Sequence, residues 1–166
     1  MADTRTDANP PYINSDEKTT MLTYLRYLRG SMLSKLDGLT EEQARTPGVE
    51  SGTNLLWLLK HVNAVEINWV IWFYKGDEYP EWERLEPLND NDTIASLSAM
   101  YRATWDRVDA VIEACEDLDA LSVRSIEGSI PTSSMRWILF HLIEETARHA
   151  GHADIIRERL DGAVGR

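Results

Sequence analysis

Cysteine is almost missing from this sequence: Cys115 stands alone among 166 residues, so no intrachain disulfide can form and nothing in the count points to an oxidising compartment. Basic charge is scarce as well. The 17 Lys and Arg face 28 Asp and Glu, a formal net charge of -11, which repels phosphate backbones and anionic headgroups and sets aside nucleic acid and membrane surfaces as partners. Strand-like alternation, internal repeats and low-complexity tracts are lacking. So are a P-loop, a dinucleotide fingerprint, the HExxH of zincins and the ExxH of di-iron bundles. The nearest approach to a long apolar run is Leu55 to Tyr74, and Lys60, His61, Asn63, Glu66 and Asn68 interrupt it. Charges in mid-membrane cost several kcal/mol each, so a buried helix is expected there rather than a span. The opening MADTRTDANPPYINSDEK has neither the apolar core of a signal peptide nor the Arg-rich look of a transit peptide. Residues 1–16 read as a flexible lead-in, 17–162 as one domain and 163–166 as a tail, with the cytoplasm as the expected location.

What is present is helical periodicity. Met21, Leu25, Leu28, Met32 and Leu36 recur at steps of three and four before Gly38, defining a first helix. Thr40 with Gln43 forms a capping-box pattern for a short helical turn that Pro47 ends. A second helix starts at Thr53 or Asn54 and stops at Lys75-Gly76, apolar nearly all round. After a connection with Pro80 and Pro87, Asp92 is the expected N-cap of a third helix with Leu97, Tyr101, Trp105, Val108, Ile112 and Cys115 on one face. Cys115 reads as a small buried hydrophobe. Thr132, Ser133 or Ser134 caps a fourth helix that runs to Asp161-Gly162. The fold class is therefore all-α, a four-helix bundle. The connection between helices two and three, about fifteen residues, exceeds what antiparallel neighbours need and can cross the length of the bundle, which suggests an up-down-down-up order.

On the fourth helix a heptad seam runs through Met135, Ile138, Leu142, Glu145, His149, His152, Ile156 and Leu160. Its ends are apolar and its middle is titratable. A carboxylate buried there without compensation costs several kcal/mol, and a cation supplies that compensation. Glu145 and His149 leave the same face one turn apart, and His61, mid-way along helix two, offers a third donor. These three are the candidate metal ligands. His152 is the candidate catalytic residue, placed to orient or deprotonate a thiol or water. His141 reads as a structural hydrogen-bonding residue, and Glu144 with Arg148 as a surface pair at i, i+4.

The segment SMRWILFHLIEETARHAGHADIIRERLDG, with WLLKHVNAVEINW on helix two and LTEEQ after helix one, closely resembles the DinB-like superfamily, in its mini-circle and mycothiol-transferase-like branch. The resemblance covers nearly the whole chain from about Thr19 onward. It implies an up-down-down-up bundle that is often dimeric, and it places the family's ligands on His61, Glu145 and His149. Many relatives carry histidine where this chain has Glu145 and glutamine where it has His152, and the extra C-terminal domain of the maleylpyruvate isomerase type is not expected here.

Two histidines and one glutamate match catalytic zinc coordination, in which three protein ligands leave a position open. The expected cofactor is a divalent ion, zinc first, with nickel, iron or manganese as other occupants. The expected function is a thiol S-transferase that joins a low-molecular-weight thiol to a small electrophile. The alternatives are metal-assisted hydrolysis, an Fe(II) facial triad, and a non-catalytic binding or stress protein. Helix two carries Trp57, Trp69, Val70, Ile71, Trp72 and Phe73, more than one face can bury, and a homodimer is expected to cover the remainder unless Trp82 and the long connection do so.

Overall fold

The structure is a computed structural model that describes residues 9–78 and 87–164. Its helices are α1 (Glu17–Ser34), α2 (Glu41–Arg45), α3 (Leu55–Glu66), which continues as a π-helical segment (Ile67–Tyr74), α4 (Ile94–Ala114) and α5 (Met135–Asp161). Only isolated bridges, Leu121 with Ser134 and Ile126 with Ile130, stand in for strands among the described residues. None of the helices among the described residues is long and apolar enough to cross a membrane.

Polar side chains start these helices where the first N–H groups lack partners. The Asp16 carboxylate accepts from Thr19 N and begins α1. Thr40 and Gln43 make the reciprocal capping box of α2, Asn54 caps α3 and Ser134 caps α5. The N-cap of α4 is Thr93, with Ser96 completing a capping box, and not Asp92. Asp92 instead accepts from Lys60 Nζ at 2.8 Å, an ion pair almost closed to solvent that ties the entry of α4 to the middle of α3. The N-terminal lead-in and Trp82 fall wholly or partly outside the described residues.

Contacts along the helices give their directions. Glu17 meets Arg136 and the carbonyl of Lys35 meets Arg157, so α1 and α5 run parallel. Asn63 meets Met100 and Tyr74 meets Cys115, so α3 and α4 run parallel. His61 meets Glu145 while Trp69 meets Trp137, so α3 and α5 are antiparallel. The order is up-down-down-up, with the crossover between α3 and α4.

Helix two is enclosed more fully than its composition suggests. Val70, Ile71 and Phe73 are buried in the core, and Trp57, Trp69 and Trp72 are half-buried against neighbouring elements. Its last eight residues widen to a π-helix. The carbonyls at that end are satisfied from the α4–α5 connection: Val123 N donates to Tyr74 O at 3.0 Å, Arg124 N to Phe73 O at 3.1 Å, and the Arg124 guanidinium to Trp72 O and Gly76 O.

At the helix junctions the core holds a polar network. Arg29, with no exposed surface, donates to both oxygens of Glu66 at 2.9 and 2.5 Å, and to Asp109 at 2.6 Å. The buried Tyr101 hydroxyl donates to Glu66 at 3.0 Å. Burial opposes the Arg29 charge, but Glu66 and Asp109 hold the guanidinium above the usual arginine range.

Candidate metal centre

The buried stripe of α5 runs through Met135, Ile138, Leu139, Leu142, Thr146, Ala150, Ala153 and Ile156. It coincides with the heptad seam at both ends and departs from it in the middle. A straight helix has 3.6 residues per turn, so a 3.5-residue seam drifts by about 20° per heptad. Glu145 and His149 therefore border the stripe, each with 14% of its side chain exposed, and His152 lies out on the exposed rim rather than on the core seam. Thr146, Ala150 and Ala153 fill the stripe beneath them with small side chains.

From α3, His61 enters the same border with 14% of its side chain exposed. Its ring stacks on Trp57, centroids 5.3 Å apart and planes at 6°, which fixes its plane. His61 Nε2 lies 3.0 Å from Glu145 Oε1, and His149 Nε2 lies 3.2 Å from the same oxygen. One donor atom from each residue falls within 4.8 Å of the others. Burial raises the Glu145 carboxyl, yet the His61 hydrogen bond and the nearby His149 outweigh it and leave the group below its ordinary value. Burial and the neighbouring His61 push the His149 imidazole down, against the pull of Glu145.

Two imidazole nitrogens and a carboxylate oxygen at these separations fit a divalent ion, since bonds of about 2.0–2.2 Å put adjacent donors a little over 3 Å apart. The set carries one negative charge, and three protein donors fill three of the four positions of a tetrahedral ion. The structure thus brings together all three expected ligands.

Around them, His152 Nδ1 faces His149 Nδ1 at 3.4 Å. Arg148 pairs with Glu144 as expected, and also approaches Glu145 Oε2 at 3.8 Å, so this pair reaches the centre. His141 differs from expectation. It stacks on Trp137 at 5.2 Å and meets the edge of Trp69 at 4.8 Å, and burial lowers its pKa; ring packing holds it, with no hydrogen bond to another described residue. Trp57 is a site residue that the sequence does not single out, although its i, i+4 spacing to His61 is an available signal.

Fold and site together define a helical bundle with the crossover order and a two-histidine, one-glutamate centre on the α3–α5 seam. The sequence model of the mycothiol-S-transferase family matches residues 20–162. The chain belongs to this family, within the DinB-like proteins. Among solved structures it is similar to YfiT from Bacillus subtilis, described as "a probable metal-dependent hydrolase with an unusual four-helix bundle topology", with a TM-score of 0.70 and 15% identity over 92% of this chain and 93% of that one. That likeness concerns the fold. Curated proteins yield no match.

Proposed function

We propose that this protein is a metal-dependent transferase that joins a low-molecular-weight thiol to a small electrophile, with His61, Glu145 and His149 holding the ion. The carrying observation is the convergence of those three donors within 4.8 Å, in a chain whose family is described by mycothiol transfer. A bound divalent ion, zinc in the first instance, supplies positive charge that favours thiolate over thiol near neutral pH.

The chain's own residues then divide the work. With His149 Nε2 committed as a donor atom, its Nδ1 carries the proton and donates to His152 Nδ1. His152 accordingly keeps its own proton on Nε2 and offers it to charge developing on the electrophile. The sulfur electron pair forms the new S–C bond, the leaving group departs with the pair of the bond that breaks, and the thiol proton goes to solvent. We place this chemistry in the cytoplasm and in a homodimer.

Purified protein is expected to bind about one divalent ion per chain and to consume thiol in the presence of chlorodinitrobenzene. Glu145→Ala or His149→Ala should abolish both while the far-ultraviolet circular dichroism stays helical. Absence of bound metal under every loading condition would refute the site. A second reading, hydrolysis, draws on the exposed His152 and on the description of YfiT; product formation that is equal with and without thiol would favour it.

A further inference from the structure

Next to the candidate centre the chain carries two cavities, and one loop forms a wall of both. The first, about 350 Å³, is lined by Val49, Ser51, Thr53, His152, Ile155 and Ile156. The second, about 500 Å³, is lined by Ser51, Thr53, Asn54, Trp57, Pro87 and Leu88 together with the backbone at Gly52. Each touches the centre through a different ligand: His152 contacts His149, and Trp57 stacks on His61.

The dividing loop is closed upon itself. Gly48 N donates to Thr53 O at 3.0 Å and Gly52 N to Val49 O at 3.0 Å, and the hydroxyls of Ser51 and Thr53 pair at 3.1 Å. Gly52 has φ +86°, and a Cβ on Gly48 would come within 2.5 Å of Ile156. The loop therefore presses directly on α5, where only glycine permits the approach.

The geometry points to a division of the two co-substrates by this loop: the wider lobe at Trp57 takes the hydroxyl-rich thiol, and the narrower lobe at His152 takes an apolar electrophile. The assignment rests on the transferase reading. Ser51 and Thr53 line both lobes, whereas the Asn54 amide and the Trp57 indole line the wider one alone; an amide beside an indole suits a polyhydroxylated ligand, since the amide meets its polar groups while the ring covers its apolar side. Val49, Ile155 and Ile156 offer an aliphatic surface to an apolar body, and His152, which lines the same lobe, supplies an N–H for the charge that develops on the electrophile. Reaction joins the ligands of the two lobes by one S–C bond, with chloride leaving when chlorodinitrobenzene is the probe.

Pro87 and Ile155 are exposed, so each lobe can be narrowed without entering the core. With mycothiol and chlorodinitrobenzene as probes and the metal-loaded full chain, Pro87→Trp should raise the KM for mycothiol about tenfold and leave that for chlorodinitrobenzene within about twofold. Ile155→Trp should do the reverse. If both variants move the same KM, or neither moves any, the division is wrong. Calorimetry with S-methylated mycothiol separates this failure from failure of the transferase reading, because it needs no turnover. Should the wild type consume no thiol, binding that is lost in Pro87→Trp and kept in Ile155→Trp still supports the wider lobe; binding absent from the wild type, or equal in all three proteins, overturns it.

Discussion

At the scale of single residues, the two most informative polar groups are of opposite kinds. Glu145 is a carboxylate at the edge of the core with the donor atoms of His61 and His149 gathered within 4.8 Å. Glu66 is a carboxylate inside the core that Arg29 already compensates through two hydrogen bonds. Removing one partner of such a buried pair strands the other, which costs about 3–5 kcal/mol, whereas replacing both with apolar groups of like volume can be nearly neutral. Arg29→Met is therefore expected to lower unfolding free energy in urea by about 3–5 kcal/mol, with Arg29→Met/Glu66→Leu recovering part of the loss. Equal stability of the single variant and the wild type would show that solvent reaches the network. Asp92 gives a pH signature. Burial raises its carboxyl, but the Lys60 ammonium and the Asn89 amide outweigh it and hold the group below its ordinary 3.8. A depressed folded-state value stabilises the fold above 3.8 and loses that contribution as pH falls through the folded value. The stability difference between wild type and Asp92→Asn should accordingly be level from neutral to mildly acid pH and shrink below about pH 3.8. A difference that is constant to lower pH would remove Asp92 from the titrating set.

Among the elements, the helices are legible in the sequence through capping side chains and through periodicity, and both are local. Ser134, Asn54 and the Thr40–Gln43 box need only their near neighbours to be recognised. The three candidate ligands are legible for a related reason: Glu145 and His149 share one helix face, and a titratable pair inside an apolar seam demands a counter-charge, a hydrogen-bonded partner or an ion. Less legible are the features that depend on a distant partner. Asp92 looks like an N-cap because it precedes α4, yet Lys60, thirty-two positions earlier, claims its carboxylate. Arg29 looks like a surface residue on an amphipathic helix until Glu66 and Asp109 are placed around it. His152 fits a heptad seam on paper and leaves it because a straight helix drifts from that repeat. The π-helical segment of Ile67–Tyr74 is similarly invisible, since its last carbonyls find donors on the distant α4–α5 connection. Gly76 marks that junction: its φ is +82°, and a Cβ would lie 2.8 Å from Val123 Cγ1. Gly76→Ala therefore combines a left-handed backbone with a steric clash, and a loss of about 1–3 kcal/mol is expected by urea unfolding. Gly30→Ala, in mid-α1 with open space around it, should instead be neutral or stabilise by up to about 1 kcal/mol.

For the whole molecule, the location of exposed apolar surface bears on assembly. Helix two does not supply it, because its large side chains are buried or half-buried. It lies at the start of α5, where Trp137 is 48% and Phe140 57% exposed, and on the connection before it, where Leu121 is 62% and Val123 72% exposed. Trp137 and Phe140 share a helix face at i, i+3, and the bridge from Leu121 to Ser134 sets the connection beside that face. Contiguous apolar patches of this kind mark association surfaces more often than free monomer surface, and a two-fold dimer would apply the same patch to itself. Trp137 also stacks on His141 and meets Trp69, and His141 lies about one turn of α5 before Glu145. Light scattering at micromolar concentration should therefore report twice the 19.0 kDa chain mass, and Phe140→Glu, which sets like charges against each other across a two-fold axis, should return it to a single chain mass. Phe140 touches none of the three ligands, so the monomeric variant should still bind about one divalent ion. A wild type that scatters as a single chain would remove the dimer. A Phe140→Glu protein that remains dimeric would move the interface to another face of the bundle, and one that loses its metal would show that association and the centre are coupled through the Trp137–His141–Trp69 cluster.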